Sequence, residues 1–376
     1  MIAKVAVVSF STIESDSRVL RQIESLNSLY DVYSVGYGNS PHAVVGHFEV
    51  DPRHTPVEKL IGFFLLLSRS FGHFHSRWFH VQPIITYLRQ QNIQSVILND
   101  VTSWPLARLL PQGISILDAH EYSPQELSDS LLWLLFPQPF KLWCSKFACL
   151  GVTRFCVEQH LCDLWYRFSG CDFQLLPNSS AFTPAPKSTN AISKPIRVLH
   201  HGVAHPSRRI ELMVEAIALA GPSFSGTFLL TGSDTSYLRC LQELAQPSGC
   251  EILQPIPQNE LISFGATFDL AILSIYPSNL NYANCLPNKL FQFIQSRLPI
   301  VCGPTPSIAK IVREYQIGVV ADDFSPSALA AALQSLTPTR LEQIRVNLEF
   351  AARELCWDRD QHLLIDAVES VLNPAF

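Results

Sequence analysis

The chain has 376 residues, 47% of them hydrophobic and 16% charged, with a formal net charge of −5. That length exceeds one ordinary core and that composition is globular, so two domains are expected and a disordered chain is excluded. The acidic balance, with no block of Lys and Arg, argues against a nucleic-acid partner.

The N-terminus, "MIAKVAVVSF", carries one lysine and no small-residue cleavage site, so it reads as a buried first strand rather than a signal peptide. "SRVLRQIESLNSL" follows as a helix with Val19, Ile23 and Leu26 on one face. "DVYSVGY", "QSVILND" and "ISILDAH" are further strands, separated by helical stretches, which is the rhythm of a doubly wound parallel sheet. "GYGNSP", Gly36 to Pro41, follows the second strand and lacks the third glycine of a dinucleotide fingerprint, so no nicotinamide or flavin cofactor is expected.

The longest apolar run, Leu60 to Ser68, falls well short of the roughly 18 residues that a spanning helix needs. A cytoplasmic chain is therefore expected. "LIGFFLLLSRSFGHF" and "LLWLLFPQPFKLWCSKFACL" read as core helices or a protein interface. The alternative is a peripheral contact with the inner face of a membrane.

"LPNSSAFTPAPKSTNAISKP", Leu176 to Pro195, is rich in Pro, Ser, Asn and Thr and reads as the connection between domains. The expected limits are an N-terminal Rossmann-like domain over 1–180, a linker over 181–195 and a C-terminal Rossmann-like domain over 196–356. A final helix, 357–376, is expected to pack back toward the first domain. The strands of the second series are "IRVLHHG", "GTFLLTG", "FDLAILS", "LPIVCG" and "IGVVAD". Thr305-Pro306 and Ser325-Pro326 each place a capping hydroxyl before a helix-starting proline. In "WDRDQH", Asp358 and Asp360 form a DxD within helical sequence, which a solvated helix start explains better than a metal site. The ten cysteines include no CxxC pair and no accompanying histidine cluster, so they read mostly as free buried thiols.

In open α/β sheets, ligands bind beyond the carboxyl ends of the strands, and three stretches stand there. "DAHEYSP" places Asp118, His120 and Glu121 after a strand, where a histidine beside a carboxylate serves as acid, base or hydroxyl ligand. "VLHHGVAHPSRRIELMVEAI" places Arg208 and Arg209 at a helix start, an end that is already positive. That placement makes sense if an anion sits there. "NYANCLPNKLFQFIQSRLPIV" opens a helix with Leu286, Pro287, Asn288 and Lys289. Pro287 lies in the first turn, and Lys289 and the free amides point out of the helix mouth toward a diphosphate. Gln292, one turn in, suits the hydroxyls of a ribose.

With "DAHE", "HHG…RR-E" and "LPNK-F-FIQ-R" in this order, the chain resembles the GT-B glycosyltransferases of the large GT4-like class over nearly its whole length. The resemblance implies an α/β fold of two Rossmann-like domains, with parallel sheets facing a central cleft and a helical C-terminal tail. It implies transfer of a hexose-type sugar from a nucleoside-diphosphate donor, most often UDP- or GDP-linked. The acceptor would be a glycan, a lipid-linked molecule or a small molecule, and transfer would proceed with retention and without a metal or other cofactor. Donor contacts then fall to Gly202, Arg208, Arg209, Leu286, Pro287, Asn288, Lys289 and Gln292. His120, Glu121 and Asn284 fall near the reaction, and Ser11, Arg18 and Asp118 on the acceptor side. Two departures stand out. Family members often carry two glutamates with seven residues between them, where this chain has Asn284 and Gln292. An arginine often follows the glycine of the first C-terminal-domain strand, where this chain has Val203. A nucleotide-sugar epimerase on the same architecture and an inactive nucleotide- or partner-binding protein are the alternative readings.

Overall fold

In the computed structural model, which describes residues 2–127, 130–185, 192–232 and 234–374, the chain divides into two compact units. The first comprises Met1–Pro177 and Asp360–Phe376, the second Asn178–Arg359. The helix Trp357–Leu372 thus begins in the second unit and ends in the first. Residues 186–191 of the expected linker and 375–376 of the expected final helix lie outside the described residues.

The first unit is built on seven parallel strands, β1 (Lys4–Thr12), β2 (Asp31–Tyr37), β3 (Gly46–Glu49), β4 (Ser95–Asn99), β5 (Ser115–Ala119), β6 (Thr153–Cys156) and β7 (Gln174–Leu175), in the order β3-β2-β1-β4-β5-β6-β7. Val5 to Val8, Val96 to Leu98 and Ile116 to Leu117 are fully buried, as expected of strands covered by helices on both faces. The first helix, Ser17–Asn27, starts where Asp16 accepts from the amides of Arg18 and Val19, and it buries Val19, Ile23 and Leu26. The fold thereby places the carboxyl ends of β4 and β5 side by side, with Asn99 opposite Asp118.

The second unit carries six parallel strands, β8 (Ile196–Val203), β9 (Phe224–Thr231), β10 (Cys250–Leu253), β11 (Leu270–Leu273), β12 (Ile300–Cys302) and β13 (Gly318–Val320), in the order β10-β9-β8-β11-β12-β13. Its core runs from Val198 and Leu199 through Ile272, Phe291 and Ile294 to Leu329 and Leu348. The segment after Leu176 is tied to this unit. The amide of Thr183 donates to Gln295 Oε1 at 2.9 Å, and that of Phe182 to the Asp358 carboxylate, which accounts for half of the DxD as a structural contact.

Three local expectations are corrected. Thr305 caps nothing with its side chain, because its hydroxyl donates to the Ile275 carbonyl, whereas Ser325 does cap, accepting from the amide of Ala328 at 3.2 Å. Cys149 and Cys171 are joined in a disulfide. Of the eight free cysteines, Cys144, Cys156, Cys162, Cys302 and Cys356 are buried, and Cys240 is exposed. The run from Leu60 is not core. The helix Pro56–Leu67 buries only Gly62. It is a capped, stable helix whose Thr55 and Glu58 form a reciprocal capping box, so its apolarity is spent outward.

Candidate functional site

At the carboxyl edge of the first sheet, Asp118 is fully buried and its charge is met on both oxygens. Arg18 reaches from the first helix with Nε 2.7 Å from Oδ2 and Nη2 2.7 Å from Oδ1, a bidentate pair. One turn further along the same helix, Gln22 donates from Nε2 to Asp118 Oδ2 at 2.6 Å and to Asn99 Oδ1 at 3.0 Å, and its own oxygen accepts from Asn99 at 2.8 Å. His120, 27% exposed, closes the chain with Nε2 3.1 Å from Asn99 Oδ1. That oxygen can only accept, so Nε2 carries the proton and Nδ1 is left as the acceptor, the form a general base needs. Ser11 donates to Asp16 at 2.7 Å and lies 2.8 Å from Ser9. Of the three acceptor-side candidates, Arg18 and Asp118 are therefore consumed by each other, and Ser11 is engaged with the helix cap.

Beside His120 lies a second cluster. Asp100, in the left-handed conformation at φ 58°, and Glu126 flank Lys141, whose Nζ is 3.5 Å and 2.8 Å from their carboxylates. Glu121 faces the same group. Burial, then the charges of Glu126 and Asp100, push its carboxyl well above the usual range. Burial opposes the charge on Lys141, yet Asp100, Glu126 and Glu121 outweigh it and raise the ammonium. Asp100 is lowered on balance, because Lys141 and His120 overcome the cost of burial.

In the second unit, β8 carries His200, His201 and Gly202 just before its last residue, Val203. Gly202 has φ 144°, and a Cβ there would stand 2.3 Å from Lys289 Nζ, so glycine is the residue the lysine can approach. Lys289 does not project freely from the helix Asn288–Gln295. It is 8% exposed and folds back onto Gly202. Burial first, then the neighbouring Arg208 charge, lower its ammonium to about 7 against a slight opposing effect of Cys285. Burial and Lys289 also hold His200 well below its ordinary value and His201 at about 3, so both are neutral. Among the described residues neither Lys289 nor Arg208 has a carboxylate within ion-pair distance.

Arg208 ends a short 3-10 turn and lies 5.8 Å over the Tyr282 ring. Arg209 follows in the left-handed region at φ 49° and lies 4.0 Å over Tyr276. Both precede the helix Glu211–Ala220 rather than opening it. Pro287 is the extended residue just before its helix, not part of the first turn. Leu286 is buried and its carbonyl accepts from Asn178 at 3.4 Å. Asn284 ends the short helix Leu280–Ala283 and donates to the Leu280 carbonyl at 2.9 Å. The Gln292 side chain is half-buried and has no hydrogen-bond partner among the described residues.

Several members of these clusters escape sequence reasoning. Gln22, Asn99 and Asp100 sit in stretches read only as strand or helix, and Lys141 in a run read as apolar. The one signal that bears on them is "ILND", where two polar residues end a strand.

Two parallel Rossmann-like sheets of seven and six strands, joined in this order, are the GT-B glycosyltransferase fold. Over 98% of this chain and 99% of the other, the structure is similar to sucrose-phosphate synthase of Thermosynechococcus elongatus at a TM-score of 0.75 and 14% identity. It is also similar to HepE of Anabaena in complex with UDP-glucose, at a TM-score of 0.71 and 11% identity over 98% of this chain and 99% of that one. A third similar structure is WaaG, a glycosyltransferase involved in lipopolysaccharide biosynthesis, at a TM-score of 0.64 and 14% identity over 95% and 98%. No protein-family model matches the sequence, and no curated protein does either.

Proposed function

We propose that this protein is a glycosyltransferase that moves a hexose-type sugar from a nucleoside-diphosphate donor to an acceptor. The observation that carries the reading is the pair Lys289 and Arg208. Lys289 and Arg208 stand together after the end of β8, the lysine buried on a glycine, with no carboxylate within ion-pair distance among the described residues. Such a pair raises its own electrostatic cost, and a diphosphate removes that cost by restoring the full charge of Lys289. The amides of Asn288 and Lys289 add the positive end of a helix to the same ligand. Gln292, with a free amide, is assigned to the donor's ribose, and Arg209 to the outer rim of the site.

The bound donor leaves as a nucleoside diphosphate whose developing charge these groups stabilise, which is why we assign a reaction that does not depend on a divalent metal. His120, through Nδ1, is the group of the first unit that we assign to the reacting sugar or its acceptor, with Glu121, whose carboxyl is raised by burial, beside it. Arg18, Asp118, Gln22 and Asn99 hold that histidine's tautomer rather than touch the acceptor. Retention of anomeric configuration and a UDP or GDP donor complete the reading. HepE, of similar fold, was solved in complex with UDP-glucose, which supports a UDP donor here.

A second reading rests on Asn284. Where related enzymes often carry a carboxylate near the transferred sugar, this side chain is spent on the Leu280 carbonyl, as in a protein that binds nucleotide without turning it over. A thermal-shift series with UDP, GDP, ADP, CMP and TDP, each with and without magnesium, tests both. One diphosphate raising the midpoint without magnesium supports the site, and release of that diphosphate from its sugar only when an acceptor is present supports transfer. Silence with every nucleotide would remove the assignment, and donor hydrolysis without acceptor dependence would favour an epimerase or hydrolase.

A further inference from the structure

The two apolar segments that the site does not use come together on the surface of the first unit. On the helix Pro56–Leu67, Leu60, Phe64 and Leu67 are 57%, 57% and 55% exposed. Its one buried residue, Gly62, seats the helix against the Trp78 ring. The short helix Leu131–Leu135 buries Trp133 and leaves Leu131 and Leu132 each 71% exposed. The Phe63 and Phe136 rings, 5.5 Å apart, join the two faces into one patch. Exposed large apolar side chains at this density mark an interaction surface.

Charge identifies what covers it. The stretch 52–94 carries Arg53, Lys59, Arg69, Arg77 and Arg89 against the single acid Glu58, in a chain whose net charge is −5. Glu58 is engaged in capping its own helix, and Arg53 is paired with Asp51. Lys59, Arg69 and Arg77 are exposed and form no ion pair among the described residues. Lys59 stands four residues before Phe63, on the same face of the helix. Against a second copy of this chain the excess of basic residues in this stretch would meet itself, and like charges would oppose the contact. An anionic bilayer suits both parts, since the acyl boundary takes the Leu and Phe side chains and headgroup phosphates take Lys and Arg. No helix among the described residues is long and apolar enough to cross a membrane, so the contact lies in the surface plane.

We propose that this face docks the protein peripherally on an anionic lipid surface. The inference stands independently of nucleotide binding. Its test is flotation of the full chain with vesicles of phosphatidylcholine alone and of phosphatidylcholine with phosphatidylglycerol. The protein should float with the anionic vesicles only and be released by salt. Leu131→Gln with Leu132→Gln should lower the bound fraction about tenfold, and Lys59→Gln, Arg69→Gln and Arg77→Gln together should do the same. Both variants should keep the wild-type unfolding midpoint, because every position changed is exposed. Should the leucine variant lose its midpoint, the basic variant alone decides. Absence of flotation overturns the proposal, as does equal binding to both vesicles. So does a dimer in light scattering that the leucine variant converts to monomer.

Discussion

The carboxyl edges of the two sheets solve opposite electrostatic problems. In the first unit Asp118 has its charge met on both oxygens, by a bidentate arginine and by a glutamine that also bonds Asn99, and nearby a lysine stands between carboxylates. In the second, Lys289 and Arg208 are brought together with no carboxylate within ion-pair distance among the described residues. A saturated network is stable by itself and fixes a geometry. An unsaturated one costs stability until something binds, and that is what distinguishes a ligand site from a scaffold.

The contrast predicts opposite responses to mutation, and the largest effect should come from the first sheet. Asp118→Ala leaves Arg18 buried without its partner and should cost about 3–5 kcal/mol in urea unfolding, while nucleotide affinity per folded molecule stays unchanged. A stable variant with lost affinity would break the contrast. Lys141→Met should cost about 3 kcal/mol at pH 8 and visibly less at pH 5, where the abandoned carboxylates take up protons. Equal losses at both pH values would mean that the cluster is not held by charge.

Lys289→Met should act in the other direction. A diphosphate should bind about 10- to 100-fold more weakly, the loss expected for a charge-assisted hydrogen bond. The free protein should be no less stable, and more stable below pH 10. The sign follows from the lowered ammonium. Between about 7 and the ordinary lysine value near 10.5 the unfolded chain binds the extra proton, so the wild-type lysine makes stability rise with pH across that window and is a net cost below it. The same titration predicts that wild-type diphosphate affinity falls as pH rises above about 7, with proton uptake on binding that calorimetry in two buffers detects. No uptake at pH 8 would mean that Lys289 does not face the ligand. The smallest effect belongs to Gln292→Glu, expected to tighten binding about fivefold if the side chain meets ribose hydroxyls, since a charged acceptor makes the stronger bond. An unchanged dissociation constant would place the ribose elsewhere.

Much of this was legible from residue order. β2 spans the run "DVYSVGY" without adjustment and β11 falls within its apolar run, while β8 extends one residue past its run to Val203 and β9 starts two residues before its own. "DAHE" stands at the end of β5 and "LPNK" at a helix start, as strand periodicity and the helix-starting proline lead one to expect. What escaped is what depends on partners far along the chain. Arg18 and Asp118 are 100 residues apart, and nothing in either neighbourhood declares that they pair. Thr305 has every local mark of a cap and instead bonds a carbonyl 30 residues away. Cys149 and Cys171 share no motif, and their bond depends on how the chain folds between them. Leu60 to Leu67 is indistinguishable from a core helix in sequence, since periodicity reports apolarity and not whether another surface arrives to cover it.

The sequence by itself determined the alternation of strands and helices, the two-sheet architecture and the three polar stretches at strand ends, because these follow from short-range sterics and periodicity. Tertiary structure alone decided which charges are spent and which are left over. The cost of a charge is set by its burial and by its nearest opposite, and both are properties of the packed chain: Asp118 became a girder when Arg18 reached it, and Lys289 became a candidate ligand group when it was buried on Gly202 beside Arg208.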